Sequence, residues 1–127
     1  MTTPKPRGDT NAALTELKRV LGDRLSTAPA VCQQHGKDQT WNPGLPPDAV
    51  AFARSTAEVA AVVKICAGHD VPVIAYGTGT SLEGHFAAVA GGVCIDLSQM
   101  DRIIAVNPED LDCRVEAGVT RKTLNGH

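Results

Sequence analysis

The chain has 127 residues, enough for one domain with a core of its own, and only 3% of them are aromatic, so that core has to be aliphatic. A formal net charge of −2 argues against a surface built to grip nucleic acid or an anionic membrane. No apolar run approaches the ~20 residues needed to span a bilayer, and the opening MTTPKPRGDTNAAL lacks the apolar stretch of a secretory signal.

Residues 1–9, rich in Pro, Thr and charge, read as a disordered lead-in. Over 11–21, NAALTELKRVL, the residues Leu14, Leu17, Val20 and Leu21 recur at helical spacing, and Gly22 supplies a stop. Residues 23–48, with Pro29, Pro43, Pro46 and Pro47 and a lone Trp41, read as irregular. AVAFA at 49–53 predicts a short buried strand. Ser55 and Glu58 have capping-box spacing and open a helix whose apolar face is Val59, Val62, Val63 and Cys66 and whose end is Gly68. Residues 71–76 predict a second, buried strand, and VCIDL at 93–97 a third. Residues 103–107 and 112–117 predict an antiparallel pair around Pro108 and Asp110. Thr120 caps a last helix, TRKTLNGH, and the sequence stops within its first turns, so a fragment of a longer protein is expected.

The cysteines Cys32, Cys66, Cys94 and Cys113 form no CxxC pair, and their wide spacing suits neither a zinc site nor a disulfide framework. Cys66 and Cys94 sit in apolar runs and read as small core residues, as in a reducing cytosol. His35, His69 and His127 are scattered without a partner pattern and read as structural or exposed. Asp96, at a strand end, reads as a turn residue.

The stretch with most chemistry in it is Gly77-Thr78-Gly79-Thr80-Ser81-Leu82-Glu83-Gly84, directly after the second predicted strand. Glycines permit positive φ and close approach by an anion, and Thr78, Thr80 and Ser81 add hydroxyl donors. No lysine is present to make a Walker A loop. The Rossmann spacing G-x-G-x-x-G fails because Leu82 stands where the third glycine belongs, and too few residues follow for a crossover helix. From these residues alone, a ligand-free glycine turn and a phosphate cradle outside both familiar schemes stay open.

The loop in its setting resembles a known family. PDAVAFARSTAEVAAVVKICAGHDVPVIAYGTGTSLEGH, then GGVCIDLSQMDRIIAVNPEDLDCRVEAGVTRKTLN, is similar to the start of the p-cresol methylhydroxylase-type (vanillyl-alcohol oxidase) FAD-binding domain of FAD-linked oxidases. Within that family it looks most like the branch of D-lactate dehydrogenases and glycolate oxidase D subunits, over about residues 35–125. The resemblance implies an α+β fold, a small sheet with helices on one side, divided into a lead-in and helix at 1–34 and an FAD-binding domain, incomplete at its C-terminus, at 35–127.

In that family the glycine loop binds the pyrophosphate of FAD through backbone amides and hydroxyls. Carried across, Gly77, Thr78, Gly79, Thr80 and Ser81 form the core of the site, with Tyr76, Leu82, Gly84 and His85 flanking it. Glu83 would oppose a pyrophosphate and is expected to point away. Some relatives attach the flavin covalently through a loop histidine, but aligned on the glycines that position falls nearest Thr80, so the resemblance implies non-covalent FAD. His85 is read as a structural neighbour, with direct cofactor contact as the other reading. Gly118-Val119 is read as approaching the flavin. In HGKDQTW, Gln39 and Thr40 stand where the family more often has acidic and serine residues, which leaves that segment without a role.

The implied activity is flavin-dependent oxidation of a D-2-hydroxy acid, D-lactate or glycolate, to the 2-keto acid, with electrons passing to an acceptor other than NAD. No catalytic residue and no metal ligand is assigned, because the family's substrate and catalytic residues fall outside this sequence. The implied partners are the small-molecule hydroxy acid, an electron acceptor and a chain carrying the missing C-terminal domains, with no nucleic acid. The implied location is cytoplasmic, or peripheral at the inner membrane in a full complex. Two alternatives stand beside it: a truncated fragment without activity, and a non-enzymatic anion- or nucleotide-binding module.

Overall fold

The computed structural model describes residues 9–41 and 44–127. The expected disordered lead-in therefore lies outside the described residues, apart from Asp9. That residue caps the first helix, α1 (Thr10–Leu21), by accepting the Ala12 N–H at 3.0 Å. A 3-10 turn at Gly22–Arg24 leads into a two-residue strand, β1 (Leu25–Ser26), and a short helix, α2 (Pro29–Gln34). Then come β2 (Ala49–Phe52), α3 (Thr56–Gly68), β3 (Val73–Tyr76), β4 (Val93–Asp96), β5 (Ile103–Asn107), β6 (Asp112–Val115) and α4 (Arg121–Asn125).

The sheet has the order β1-β2-β4-β3. β1 runs antiparallel to β2, and β2, β4 and β3 are mutually parallel. β2, α3 and β3 thus form a crossover unit, into whose gap β4 inserts. The register aligns Phe52, Asp96 and Tyr76 side by side at the C-terminal ends of the parallel strands. β5 and β6 form a separate antiparallel ribbon.

Strand alternation sends side chains to two different layers. Ala49, Ala51, Val93 and Ile95 face α1 and α3, where they pack with Ala13, Leu17, Leu21, Val62 and Cys66. Small alanines let the helices lie close, which is how a core with so few aromatic rings fills its space. Val50 and Cys94 face the other way and pack with Cys32 of α2, against Val31, Phe52 and Tyr76.

Several expectations need correction. Helices cover both faces of the sheet, not one. Residues 23–48 hold a turn, a strand and a helix; α2 has six residues, too few to show a period, and its one local signal is Pro29 at the first helical position. β3 is not buried: it is the edge of the sheet, and Val73 is 37% exposed. Val20 and Val63 lie outside the buried faces of their helices, whose buried members are Ala13, Leu17 and Leu21, and Val62 and Cys66. The capping box is present in altered form. Ser55 accepts the Glu58 N–H, but the Glu58 carboxylate accepts the Arg54 N–H rather than that of Ser55. Among the described residues no helix is long and apolar enough to cross a membrane.

Candidate functional site: the loop after β3

The loop at 77–85 leaves the sheet where the parallel strands end. Parallel strands present their last backbone groups to one crevice, the usual ligand position in open sheets of this kind. Tyr76 closes β3, and Leu97 N–H donates to its carbonyl at 3.0 Å, so the loop starts from a fixed point. Phe86, buried just past the loop, packs edge-on against Tyr76 with centroids 5.0 Å apart. The stem of the loop is therefore a pair of aromatic rings.

Within the loop, Gly79 has φ +74°. A Cβ there would lie 2.2 Å from the Tyr76 hydroxyl oxygen, so both the backbone angle and the space demand glycine. Nothing stands within 4 Å of a Cβ built on Gly77 or Gly84, and those faces of the loop are open. The Thr78 and Thr80 hydroxyls are 3.3 Å apart. Ser81 Oγ bonds His85 Nδ1, while His85 Nε2 lies 3.9 Å from Glu83. Leu82, Glu83 and His85 are exposed; Tyr76, Gly79, Ser81 and Gly84 are half-buried.

A cleft of about 520 Å³ separates this loop from α2 and the segment after it; among its lining residues are Gln33, Lys37, Asp38, Tyr76, Thr78 and Gly79. The HGKDQTW segment, left without a role on sequence grounds, thus forms the opposite wall. Asp38 is half-buried and accepts the Thr40 hydroxyl and the Thr40 N–H at 2.9 Å. These bonds, the Thr40 hydroxyl foremost, hold its carboxyl below the usual carboxylate range. Asp38 also lines a cavity together with Gly84, so the segment stands beside the far end of the glycine loop. Sequence reasoning missed Lys37 and Asp38, which stand about 40 residues from the loop in the chain.

Below the cleft lies a buried polar pair. His35 Nε2 is 2.7 Å from Asp96 Oδ2, and His35 Nδ1 is 2.8 Å from the Val31 carbonyl. Asp96 Oδ1 accepts the Ser98 N–H at 2.8 Å, so Asp96 serves its turn as expected and has a second task besides. His35 therefore has a partner, against the expectation that it had none; so has His69, which bonds Glu16 at 3.0 Å. His127 is exposed. Cys94 is buried beside Asp96 and Cys32, and burial first, with those neighbours adding, pushes its thiol up to about 12. Such a thiol is neutral and inert near neutral pH. Gly118 packs close to the backbone of Leu97, with a built Cβ 2.0 Å from its carbonyl oxygen, and its N–H donates to Met100. A packing contact accounts for that glycine.

The donor set suits a polyphosphate. Among the described residues no backbone hydrogen bond uses the N–H groups of 78–83, and three hydroxyls stand beside them. The family described as FAD binding domain matches residues 47–127. The chain belongs to this FAD-binding domain family. A probable mitochondrial D-lactate dehydrogenase of Danio rerio is 44% identical over 115 residues, covering 90% of the chain and 23% of the relative. A mitochondrial D-lactate dehydrogenase [cytochrome] of Arabidopsis thaliana is 42% identical over 114 residues, covering 88% and 20%. The crystal structure of p-cresol methylhydroxylase with substrate bound superposes with a TM-score of 0.80 at 27% identity, covering 91% of the chain and 24% of that structure. The FAD-binding domain described here thus has the p-cresol methylhydroxylase-type fold, and the chain spans about a quarter of the length of these relatives.

Proposed function

We propose that this chain is the FAD-anchoring portion of a flavin-dependent oxidoreductase that oxidises a D-2-hydroxy acid, D-lactate or glycolate, to the 2-keto acid. The observation that carries the reading is the loop at 77–84, whose 78–83 N–H groups enter no backbone hydrogen bond among the described residues, with two open glycine faces and three hydroxyls at the ends of parallel strands. Gly77, Thr78, Gly79, Thr80 and Ser81 would hold the pyrophosphate of FAD, with Tyr76, Leu82, Gly84 and His85 around it. The donors neutralise phosphate charge without a lysine in the loop, as oriented N–H groups do in other anion-binding turns. Glu83, exposed to solvent, can turn its charge away.

The FAD-binding domain would occupy 35–127, with the helix of 1–34 closing its core through Leu17 and Leu21. The cofactor would be held non-covalently, since the position of the loop in which a histidine would attach it is occupied by Thr80 and His85 is bonded to Ser81. When bound, FAD supplies the two-electron acceptor for substrate oxidation. The residues of this chain bind and orient; the substrate pocket, the groups that move the substrate proton and the contact with an electron acceptor other than NAD belong to the remainder of the full-length protein. A location in the cytoplasm, or peripheral at the inner membrane in the full complex, completes the proposal.

Equilibrium dialysis of the purified chain against FAD, FMN, ADP and inorganic phosphate tests it. Preferential retention of FAD supports the reading. Equal affinity for ADP and phosphate would point to a general anion-binding module instead.

A further inference from the structure

We propose that His35, held by Asp96, is a positioning residue for the loop at 77–84, acting on the cofactor only through Tyr76. The inference rests on the reading of that loop as the FAD pyrophosphate site. His35 is 3% exposed and stands at the C-terminal end of α2. Its ring lies against the Tyr76 ring at 4.4 Å between centroids and edge-on to Phe52 at 5.7 Å. It thereby touches the last residue of each parallel strand: Phe52 of β2, Asp96 of β4 and Tyr76 of β3. Tyr76 in turn meets Phe86 across the stem of the loop and puts its hydroxyl against Gly79.

The imidazole cannot shift without breaking a bond. An oxygen faces each ring nitrogen, the Val31 carbonyl at 2.8 Å on one side and Asp96 at 2.7 Å on the other. Asp96 is fixed in turn by the Ser98 N–H. A loop with two open glycine faces has little packing of its own to hold it, and a preformed cradle binds more tightly than one that must be ordered by its ligand. The buried pair supplies that order from below, without reaching the ligand.

The same geometry predicts which substitution is tolerated. In Asp96→Asn the amide oxygen can still accept the Ser98 N–H, and the amide N–H can donate to a neutral His35 whose other nitrogen still donates to Val31. Asp96→Ala leaves Ser98 and His35 without that partner.

The test compares His35→Ala, Asp96→Ala, Asp96→Asn and Val62→Ala in the full chain. Val62 is buried in the α1–α3 layer, on the opposite face of the sheet, and serves as the control for stability alone. FAD dissociation constants, corrected for the folded fraction, and backbone NMR order parameters of residues 77–84 without ligand are the readouts. We expect His35→Ala and Asp96→Ala to weaken FAD about tenfold and to lower the loop order parameters, Asp96→Asn to stay within about threefold of the parent, and Val62→Ala to change neither. If His35→Ala binds FAD as Val62→Ala does and its loop is as ordered as in the parent, the positioning role is wrong while the FAD reading stands. If the parent chain binds no FAD, the FAD reading fails, and the loop order parameters alone decide whether His35 orders the loop. Asp96→Ala serves as the second variant where His35→Ala does not fold.

Discussion

The Tyr76 hydroxyl fills the place where a side chain on Gly79 would begin, 2.2 Å from a Cβ built there. Tyr76 is the far end of no loose chain: its ring is wedged between His35 and Phe86. Gly79→Ala therefore meets a rigid neighbour as well as an unfavourable φ of +74°. It should cost about 1–2 kcal/mol of stability from the backbone alone. FAD affinity should fall about tenfold or more, because the turn must open to relieve the clash. Thermal unfolding and an FAD titration of the same sample check both. Gly79→Asp should abolish FAD binding, since its carboxylate would sit beside the pyrophosphate.

Lys37 lines the cleft opposite Thr78 and Gly79, and the loop itself carries no lysine or arginine. An exposed lysine beside a pyrophosphate contributes a screened attraction. Lys37→Gln should raise the FAD dissociation constant about threefold at low salt, and the difference should vanish at high salt. Titrations at two ionic strengths read this out; an effect independent of salt would assign Lys37 a different task.

Arg24, just before β1, grips the start of α3 through Glu58: Nη1 donates to Oε1 at 2.6 Å and Nη2 to Oε2. The Arg24 hydrogen bond, followed by the Arg54 N–H and the two arginine charges, holds the Glu58 carboxyl below its ordinary range despite some burial. Its folded pKa is thus lower than its unfolded one, so the unfolded chain binds the extra proton and stability rises with pH across that interval. The stabilisation, about 1 kcal/mol for a partly exposed bidentate pair, should be intact above about pH 5 and be lost as the pH falls through the lowered value. Glu58→Gln should remove that part of the acid sensitivity, as urea melts between neutral and acid pH would show.

Burial pushes the Cys66 thiol up to about 11 and that of Cys94 to about 12, and raises Cys32 as well, while Cys113 is exposed on β6. A thiol reagent near neutral pH should therefore modify Cys113 quickly and the other three only on unfolding. Mass spectrometry before and after denaturant measures it. Rapid modification of Cys94 in the native chain would contradict the packing of α2 on the sheet.

The parts of this fold that could be read from the sequence are those with a local cause. The Ser55 cap, the apolar period through Val62 and Cys66, and the chain-reversing Pro108-Asp110 stretch each carry their own signal, and β2, α3, β4 and the β5–β6 ribbon follow them. The glycine loop was visible because glycine and hydroxyl residues cluster within eight positions. What the sequence hid is long-range. Whether β3 is central or at the edge depends on where β4 inserts, which no residue of β3 reports. His35 and Asp96 are 61 residues apart, and each alone looks like an ordinary polar residue. Only folding brings them under Tyr76, together with Asp38 at the end of the loop. The site is thus half local motif and half a meeting of distant segments.

The most direct test of the central claim is the visible absorbance spectrum of the purified chain, recorded natively after adding FAD and removing the excess, then again after denaturation and filtration. The account predicts flavin bands that stay with the native protein, shift from those of free FAD, and pass wholly into the filtrate once the chain unfolds. A native protein that retains no flavin even after high FAD would contradict the assignment of the loop at 77–84 as a working FAD site in this chain. Bands that stay with the unfolded chain would contradict the non-covalent reading.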